Sequence, residues 1–281
     1  MNIGIVCCGR LENRYAIEFV NHYKNLGFDQ IFIVDNNRDN EEHFEDVLQS
    51  YIDDKFVTIY NYRDRERVQR FAYIEIYNKI SNELDYDWLL FIDFDEYLIL
   101  NEDNNIKDYL SRECFKDYNQ ILINWKVYSD NNLIYDDGRP CLERFTEESK
   151  DCAKKYGTDE NELTKPFLRT GIKNVGQENW HYFFDEQHIL DNTSCNNAGQ
   201  KCINDAFIET NYKLAYFKHF ITKTIDEYVT NKCIRGCGDM TIWEFNERYG
   251  IKRFFMYNEV TPEKIQYLKD HNIDYTKYIN L

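Results

Sequence analysis

The sequence predicts an α/β fold built on a mixed, mainly parallel sheet with helices on both faces. In the first hundred residues, short runs of β-branched and aromatic residues alternate with segments in which apolar residues recur at helical spacing. Turn signals such as Gly27 and Asp35-Asn36-Asn37 separate these segments. The run Trp88-Leu89-Leu90-Phe91-Ile92 is apolar throughout, which is typical of a strand buried on both faces. This repeated strand–helix order favours a doubly wound sheet.

The individual elements follow from the same patterns. Strands are predicted at 3–6, 30–34, 56–60 and 88–92, and helices at 16–26, 44–51 and 72–84. The later part of the chain is less regular, with predicted strands at 120–127, 167–175, 180–184 and 213–220 and predicted helices at 147–156 and 224–233. Thr261-Pro262-Glu263 marks one more helix start, because it combines a capping Thr, a Pro at the first helical position and an acid.

The composition limits the classes of partner. The chain has 281 residues, with 34 Lys and Arg against 50 Asp and Glu, so its formal charge is −16. This acidity excludes sequence-independent binding to nucleic acid, which needs a basic surface. The apolar runs are far shorter than the roughly 20 residues of a membrane span, and no cationic segment precedes the first one. With an odd number of scattered cysteines, we expect a cytoplasmic, reduced protein.

The sharpest motif is Asp93-Phe94-Asp95-Glu96, which follows the apolar strand directly. Asp93 and Asp95 are two residues apart, so both point the same way in an extended segment. Such like charges favour a cation between them, and carboxylate oxygens suit Mn²⁺ or Mg²⁺. The alternative is an acidic turn that caps the next helix. The position favours a ligand site, because open α/β sheets bind ligands beyond the carboxyl ends of their strands. Neither GxGxxG nor a Walker A sequence is present.

Several motifs together resemble the GT-A glycosyltransferases, in particular bacterial proteins related to families two and 92. The resemblance covers residues 1 to about 236. Its motifs are Cys8-Gly9-Arg10-Leu11-Glu12-Asn13 with Glu18 to Phe28, then Ile31-Phe32-Ile33-Val34-Asp35-Asn36-Asn37, the Asp93-Phe94-Asp95-Glu96 run, Leu142-Glu143-Arg144-Phe145-Thr146, and Lys218-His219-Phe220 with Thr222-Lys223-Thr224 and Glu227-Tyr228. The resemblance implies a GT-A nucleotide-binding half at 1–100, an acceptor half at 101–236 and a helical C-terminal extension at 237–281.

The resemblance also implies a UDP-linked sugar donor and a divalent metal. The donor would be held by residues at the ends of the first strands and beside the metal, namely Cys7, Arg10, Glu12, Arg14, Asp35, Arg70 and Phe94. A carboxylate can accept a hydrogen bond from a ribose hydroxyl or uracil N–H, and an arginine can meet the diphosphate. For Asp35 the alternative is an Asx turn, and for the arginines it is solvated surface. Asp93 and Asp95 would bind Mn²⁺ or Mg²⁺, with Glu96 in support.

The third metal ligand and the catalytic base are less sharply indicated. His219 ends a predicted strand in a family-like context and is the expected third ligand, with His181 as its competitor. Glu143 is the expected base that deprotonates the acceptor hydroxyl, unless it forms a surface salt bridge with Arg144. Glu178 and Asp239 remain open as alternatives. Three tryptophans could stack on sugar rings, namely Trp125, Trp180 and Trp243. Four cysteines could hold a structural zinc, namely Cys195, Cys202, Cys233 and Cys237.

The sequence therefore predicts an inverting, metal-dependent glycosyltransferase. It would move a hexose, galactose before glucose, from a UDP-sugar to an oligosaccharide or lipid-linked glycan in surface polysaccharide or lipooligosaccharide synthesis. The stretch Lys252-Arg253-Phe254-Phe255-Met256-Tyr257 offers peripheral contact with the inner face of a membrane that carries the acceptor. The alternatives are a metal-dependent nucleotidyltransferase and a non-catalytic calcium-binding protein.

Overall fold

The computed structural model describes residues 1–150, 159–236 and 240–276. The chain divides into two compact units, each made of two segments. The first unit comprises Met1–Trp125 and Asn161–Lys218, and the second comprises Lys126–Glu160 and His219–Leu281. None of the three boundaries between these segments coincides with the predicted division at residue 236, which stays a prediction.

The described residues form the following elements in chain order. The strands are β1 Ile3–Gly9, β2 Gln30–Asp35, β3 Val57–Asn61, β4 Trp88–Asp93, β5 Glu96–Leu100, β6 Gln120–Val127, β7 Thr164–Arg169, β8 Val175–Gly176, β9 Phe184–Asp185, β10 Ser194–Asn196 and β11 Ala215–His219. The helices are α1 Asn13–Asn25, α2 Glu45–Asp53, α3 Gln69–Glu83, α4 Ile106–Leu110, α5 Cys141–Arg144, α6 Ile189–Asn192, α7 Ile225–Glu227, α8 Cys233–Arg235, α9 Ile242–Arg248, α10 Gly250–Tyr257 and α11 Pro262–Asp270. A π-helical turn, Tyr228–Lys232, joins α7 to α8.

The main sheet confirms the predicted α/β fold. Its strand order is β3-β2-β1-β4-β7-β6-β11-β5, and β10 pairs with β6. The strands β3, β2, β1 and β4 are parallel, whereas β7 runs antiparallel to β4 and β6. Cys8 pairs with both Val34 and Asp93, and Gly9 pairs with Asp35. The carboxyl ends of β1, β2 and β4 therefore lie at one edge of the sheet.

The core of the first unit explains why these segments form strands and helices. Helix α3 packs its apolar side against one face of β1, β2 and β4, where the buried residues are Val6, Phe32, Val34, Leu89 and Phe91. The alternate residues of the same strands, such as Ile5, Ile33 and Leu90, are also fully buried. Both faces of this part of the sheet are thus covered, as the continuous apolar run of β4 predicts.

Some predicted elements differ from the structure. Residues 180–184 are not a strand but lie mostly in the loop between β8 and β9, where the Phe183 ring packs on Phe91 at 4.5 Å between ring centres. Their apolar character reflects packing under a loop and not pairing in a sheet. The strand β5, which starts at Glu96, is not predicted. For the predicted helix at 147–156, residues 147–150 are not helical, and 151–158 lie outside the described residues.

The second unit has its own apolar core. Tyr228, Phe245, Phe254 and Leu268 are buried where α7, α9, α10 and α11 meet. The predicted start of α11 is confirmed, because the Thr261 side chain accepts a hydrogen bond from the Lys264 backbone N–H and Pro262 is the first helical residue. No helix of the described residues combines the length and the apolar character that crossing a bilayer requires.

A partly buried histidine is expected to make the stability of the first unit depend on pH. The His22 ring on α1 packs against Tyr97, and its Nε2 lies 2.9 Å from the Leu98 carbonyl oxygen. Burial lowers the pKa of His22 to about 4, although the hydrogen bond to Leu98 opposes the shift. In the unfolded chain the pKa is about 6.5, so the unfolded state takes up the proton first as the pH falls.

We therefore expect stability to be lost as the pH falls from about 6.5 towards 4. At pH 4.5 the contribution of His22 to this loss is about 2 kcal/mol relative to neutral pH. Urea unfolding of wild type and His22→Gln at pH 7.5 and pH 4.5 measures it. The variant should lose less free energy of unfolding between the two pH values, whereas identical losses would show that His22 is not the responsible group.

Candidate active site

Three carboxylates, Asp93, Asp95 and Glu96, lie at the carboxyl end of β4, and we call them the acidic cluster. Asp93 is the last residue of β4, and Glu96 begins β5. Asp95 and Glu96 are only 4% and 0% exposed, while the Asp93 side chain is 34% exposed. The Glu96 carboxylate accepts a hydrogen bond from the Asp93 backbone N–H at 3.0 Å. The tight turn between two strands therefore brings all three carboxylates together.

A buried lysine from a neighbouring strand neutralises part of this charge. Lys165 lies on β7, which pairs with β4, and its Nζ is 2.6 Å from Asp93 Oδ2 and 3.4 Å from Glu96 Oε1. Burial alone lowers the pKa of Lys165, but the charges of Asp93 and Glu96 raise it above its usual value overall. Lys165 is therefore a permanent positive charge inside the site.

A glutamine from α3 fixes the other side of Asp93. Gln69 Nε2 donates to Asp93 Oδ1 at 2.7 Å and also lies 3.1 Å from the Tyr73 hydroxyl. Tyr73 in turn donates to the Ile92 carbonyl at 2.9 Å. Sequence reasoning did not find Lys165 or Gln69, because no local motif marks either residue.

The donor set suits a divalent cation. Burial raises the pKa of Glu96 well above its usual range, and the charges of Asp93 and Asp95 add to this effect while Lys165 opposes it. Three ionised carboxylates against one ammonium would leave two uncompensated negative charges, the amount that one divalent ion offsets. A carboxylate has about four lone-pair positions, so Asp93 can ligate a metal while it accepts from Lys165 and Gln69. Carboxylate oxygens are the ligands that Mg²⁺ and Mn²⁺ prefer.

Asp35, at the end of β2, is fully buried and held by the protein itself. Its Oδ1 accepts hydrogen bonds from the backbone N–H and the side-chain amide of Asn37 at 3.0 and 2.8 Å, which forms an Asx turn. Its Oδ2 forms an ion pair with Arg63. The Asn37 side chain also accepts from the Leu11 backbone N–H at 2.8 Å. Asp35 thus ties the loop after β2 to the loop after β1.

The other predicted donor-binding residues of the first loop lie in different environments. Arg10 Nε donates to Glu41 at 2.8 Å, and this hydrogen bond lowers the pKa of Glu41. Arg14 is exposed and lies over the Tyr15 ring, whereas Glu12 is buried.

Cys7 and Phe94 are core residues in this structure. Cys7 is fully buried, and burial raises the pKa of its thiol well above the usual range. The Phe94 ring is 1% exposed and stacks on Phe44 at 5.2 Å between ring centres. A Cβ atom at Gly9 would lie 2.6 Å from the Phe94 ring, so only glycine allows this packing at the end of β1. These two residues support the shape of the sheet edge from beneath.

Arg70 contacts the loop that joins β8 to β9, and His181 is part of that loop. Arg70 is exposed, and its Nη1 donates to the Glu178 carbonyl oxygen at 2.7 Å. The His181 Nδ1 lies 2.8 Å from the Thr164 carbonyl oxygen, next to Lys165 on β7. The predicted residues Arg70, Glu178 and His181 are thus brought together by one loop of the first unit.

The second unit contains Glu143 and His219. Glu143 is exposed on α5, and His219, the last residue of β11, is buried. Arg144 is buried and makes a bidentate pair with Glu227, so it is not part of a surface salt bridge. Asp239 and Cys237 lie outside the described residues. Among the described residues, no group of three potential metal ligands includes a cysteine.

The α/β sheet that carries the acidic cluster beyond its fourth strand belongs to a glycosyltransferase, because a family model of that class matches most of the chain. The chain belongs to glycosyltransferase family 92, whose sequence profile matches residues 5–206. No curated protein matches the chain.

The solved structures that resemble this chain are distant from it in sequence. TarS of S. aureus is 12% identical over 94% of this chain and 46% of its own, with a TM-score of 0.41. TarS 1–349 in complex with UDP-GlcNAc is 10% identical over 94% of this chain and 78% of its own, with a TM-score of 0.40. The mannosyltransferase PcManGT from Pyrobaculum calidifontis, in complex with GDP-Man and Mn²⁺, is 10% identical over 44% and 36%, with a TM-score of 0.32. This chain spans about half the length of TarS.

Proposed function

We propose that the protein transfers a hexose from a UDP-sugar to a glycan acceptor and that it requires Mn²⁺ or Mg²⁺. The observation that carries this proposal is the acidic cluster at the carboxyl end of β4, in a chain that belongs to glycosyltransferase family 92. A divalent ion held there would offset the negative charge of the leaving diphosphate.

The proposal assigns the metal to Asp93, Asp95 and His219. Asp95, Glu96 and His219 are buried, and each side chain can offer a ligand atom. Lys165 and Gln69 hold the Asp93 carboxylate in one orientation, so a ligand would meet it already positioned. The preference for galactose over glucose and the lipid-linked or oligosaccharide acceptor rest on the family resemblance.

The base of the proposed inverting reaction is Glu143. An exposed carboxylate can take the proton of an acceptor hydroxyl if it faces the sugar opposite the leaving diphosphate. The role in surface glycan synthesis and the peripheral membrane contact stay predictions, as do the donor-binding residues Cys7, Arg10, Glu12, Arg14, Asp35, Arg70 and Phe94. Nucleotidyl transfer and calcium binding without catalysis are not favoured, because the family is one of glycosyltransferases.

Thermal unfolding with nucleotide and metal tests this function. We expect UDP to raise the melting temperature in the presence of Mn²⁺ or Mg²⁺ but not with Ca²⁺ or without metal, because a metal held by the acidic cluster would supply the positive charge that the diphosphate needs. At a UDP concentration 100 times the dissociation constant, the stabilisation should reach about 2.7 kcal/mol. CTP should give a smaller shift. A melting temperature that UDP leaves unchanged with every metal would contradict the proposal.

A further inference from the structure

The loop between β8 and β9, residues 177–183, is held firmly at its ends, and we call it the hairpin loop. Gly176 pairs with Phe184 across the two strands. A Cβ atom at Gly176 would clash with the Phe184 ring, so the backbone passes directly beneath that ring. The Gln120 side chain accepts from the Phe183 backbone N–H at 2.8 Å and donates to the Phe183 carbonyl at 3.2 Å. The loop therefore has a defined conformation at its base.

Two further contacts tie the middle of the hairpin loop to the elements that hold Asp93. Arg70, next to Gln69 on α3, donates to the Glu178 carbonyl. Thr164, next to Lys165 on β7, donates from its hydroxyl to the His181 carbonyl at 3.0 Å. Gln69 and Lys165 both hydrogen-bond the Asp93 carboxylate.

The Trp125 side chain links the hairpin loop to the acidic cluster directly. The centre of its ring lies 5.7 Å from Lys165 Nζ and 4.9 Å from the centre of the His181 ring. Because Lys165 forms ion pairs with Asp93 and Glu96, the hairpin loop and the acidic cluster share one neighbourhood in the first unit.

The hairpin loop carries polar groups without partners. Gln177 is buried, and neither its Nε2 nor its Oε1 has a hydrogen-bond partner among the described residues. The same holds, within that part of the chain, for the indole Nε1 of Trp180, whose side chain is partly exposed. More than nine in ten buried polar groups are hydrogen-bonded, because an unpaired one costs about 1–3 kcal/mol. The amide and the indole N–H lie in the same loop, and their unmet hydrogen-bonding capacity indicates that this loop can bind a polar ligand.

We propose that the hairpin loop is the donor-sugar subsite, where Gln177 and the Trp180 indole bind hydroxyl groups of a hexopyranose. This inference rests on the proposed function. An amide donates and accepts, as a hydroxyl does, so the two match without a net charge. A neutral polyol also fits better than an anion, because the acidic cluster nearby repels negative charge. Among the contacts described, the loop thus complements the sugar and not the diphosphate of the donor.

Gln177→Leu tests the inference, because leucine fills a similar volume without polar atoms. We expect the affinity for an intact UDP-hexose to fall about ten-fold with Mn²⁺, as two hydrogen bonds are lost, while the affinity for UDP is unchanged. The melting temperature should stay equal or rise, because an unpaired buried amide is removed. Gln49→Leu, at an exposed position on α2, is the matched control and should change neither affinity. Titration calorimetry measures the affinities of both variants for UDP and for the UDP-hexose.

Trp180→Phe adds a second readout, since it keeps a ring and removes only the N–H. This variant should bind the UDP-hexose more weakly than wild type does, and its affinity for UDP should be unchanged. If Gln177→Leu binds UDP and the UDP-hexose as wild type does, the inference is overturned. A lower melting temperature with unchanged UDP-hexose affinity also overturns it, because it would assign the amide to an ordered water. If wild type does not bind UDP at all, the proposed function itself fails. This result differs from the two outcomes that overturn only the inference, because in those outcomes wild type still binds UDP.

Discussion

Replacing Asp95 with asparagine is expected to remove most of the metal affinity. It should also lower kcat/KM with a UDP-sugar donor at least about 100-fold. Asp95 is 4% exposed and lies beside Glu96 in the acidic cluster. An amide oxygen is neutral, so the variant loses one of the two negative charges that a divalent ion would offset. Stabilisation by a bound metal is worth several kcal/mol, and about 2.7 kcal/mol corresponds to 100-fold.

Two measurements separate metal binding from chemistry in this variant. The dissociation constant of Mn²⁺, obtained from the electron paramagnetic resonance signal of the free ion, should rise at least about ten-fold even without donor. The rate of UDP release from the UDP-sugar gives kcat/KM. Asp117→Asn, an exposed aspartate in the first unit, is the matched control and should retain both values. Mn²⁺ affinity equal to that of wild type in Asp95→Asn would remove Asp95 from the metal site.

The sequence predicts the edge of the sheet well, because the signals there are local. A buried parallel strand appears as an unbroken apolar run, and the residue after it lies at the carboxyl end by definition. The pairing of Cys8 with Asp93, and of Gly9 with Asp35, then follows from the parallel order of β1, β2 and β4. The location of the acidic cluster could therefore be predicted from one stretch of sequence.

The partners of the acidic cluster could not be predicted in this way. Lys165 is 72 residues from Asp93 in the chain, and Gln69 is 24 residues away. A lysine on a strand usually points into solvent, and only the antiparallel pairing of β7 with β4 brings this one beneath the cluster. The Asx turn at Asp35 is local and was an open alternative, but its ion pair with Arg63 depends on the loop after β3.

Two motifs of the family resemblance meet within the second unit. Arg144, from the Leu142-Glu143-Arg144-Phe145 stretch, binds Glu227, which is 83 residues further along the chain. The sequence places Arg144 next to Glu143 and so favours a local surface pair. The structure instead buries the guanidinium, because α5 packs it against the first turn of α7. Such a pair is specific to the fold and has no local signature.

Replacing Arg144 with methionine is expected to cost about 3–5 kcal/mol of unfolding free energy, the range found when one partner of a buried ion pair is removed. Arg144 donates to both oxygens of Glu227 at 2.9 Å, and its Nη1 lies 2.9 Å from Asp136 Oδ1. Glu227 also accepts from the Thr224 backbone N–H at 3.1 Å and so caps α7. Without the guanidinium, two buried carboxylates lose their counter-charge.

The chain offers a matched control five positions earlier. Arg139 is 53% exposed and pairs with Asp137 at 2.9 Å, so Arg139→Met removes only a solvated ion pair and should leave the free energy of unfolding nearly unchanged. Arg144→Lys should fall between the two, since it keeps the charge and loses the bidentate geometry. Urea unfolding of the three variants at pH 7.5 measures the differences. If Arg144→Met is as mild as Arg139→Met, the buried pair does not stabilise the second unit. If Arg144→Lys matches wild type, the charge and not the two-pronged geometry is what Glu227 and Asp136 require.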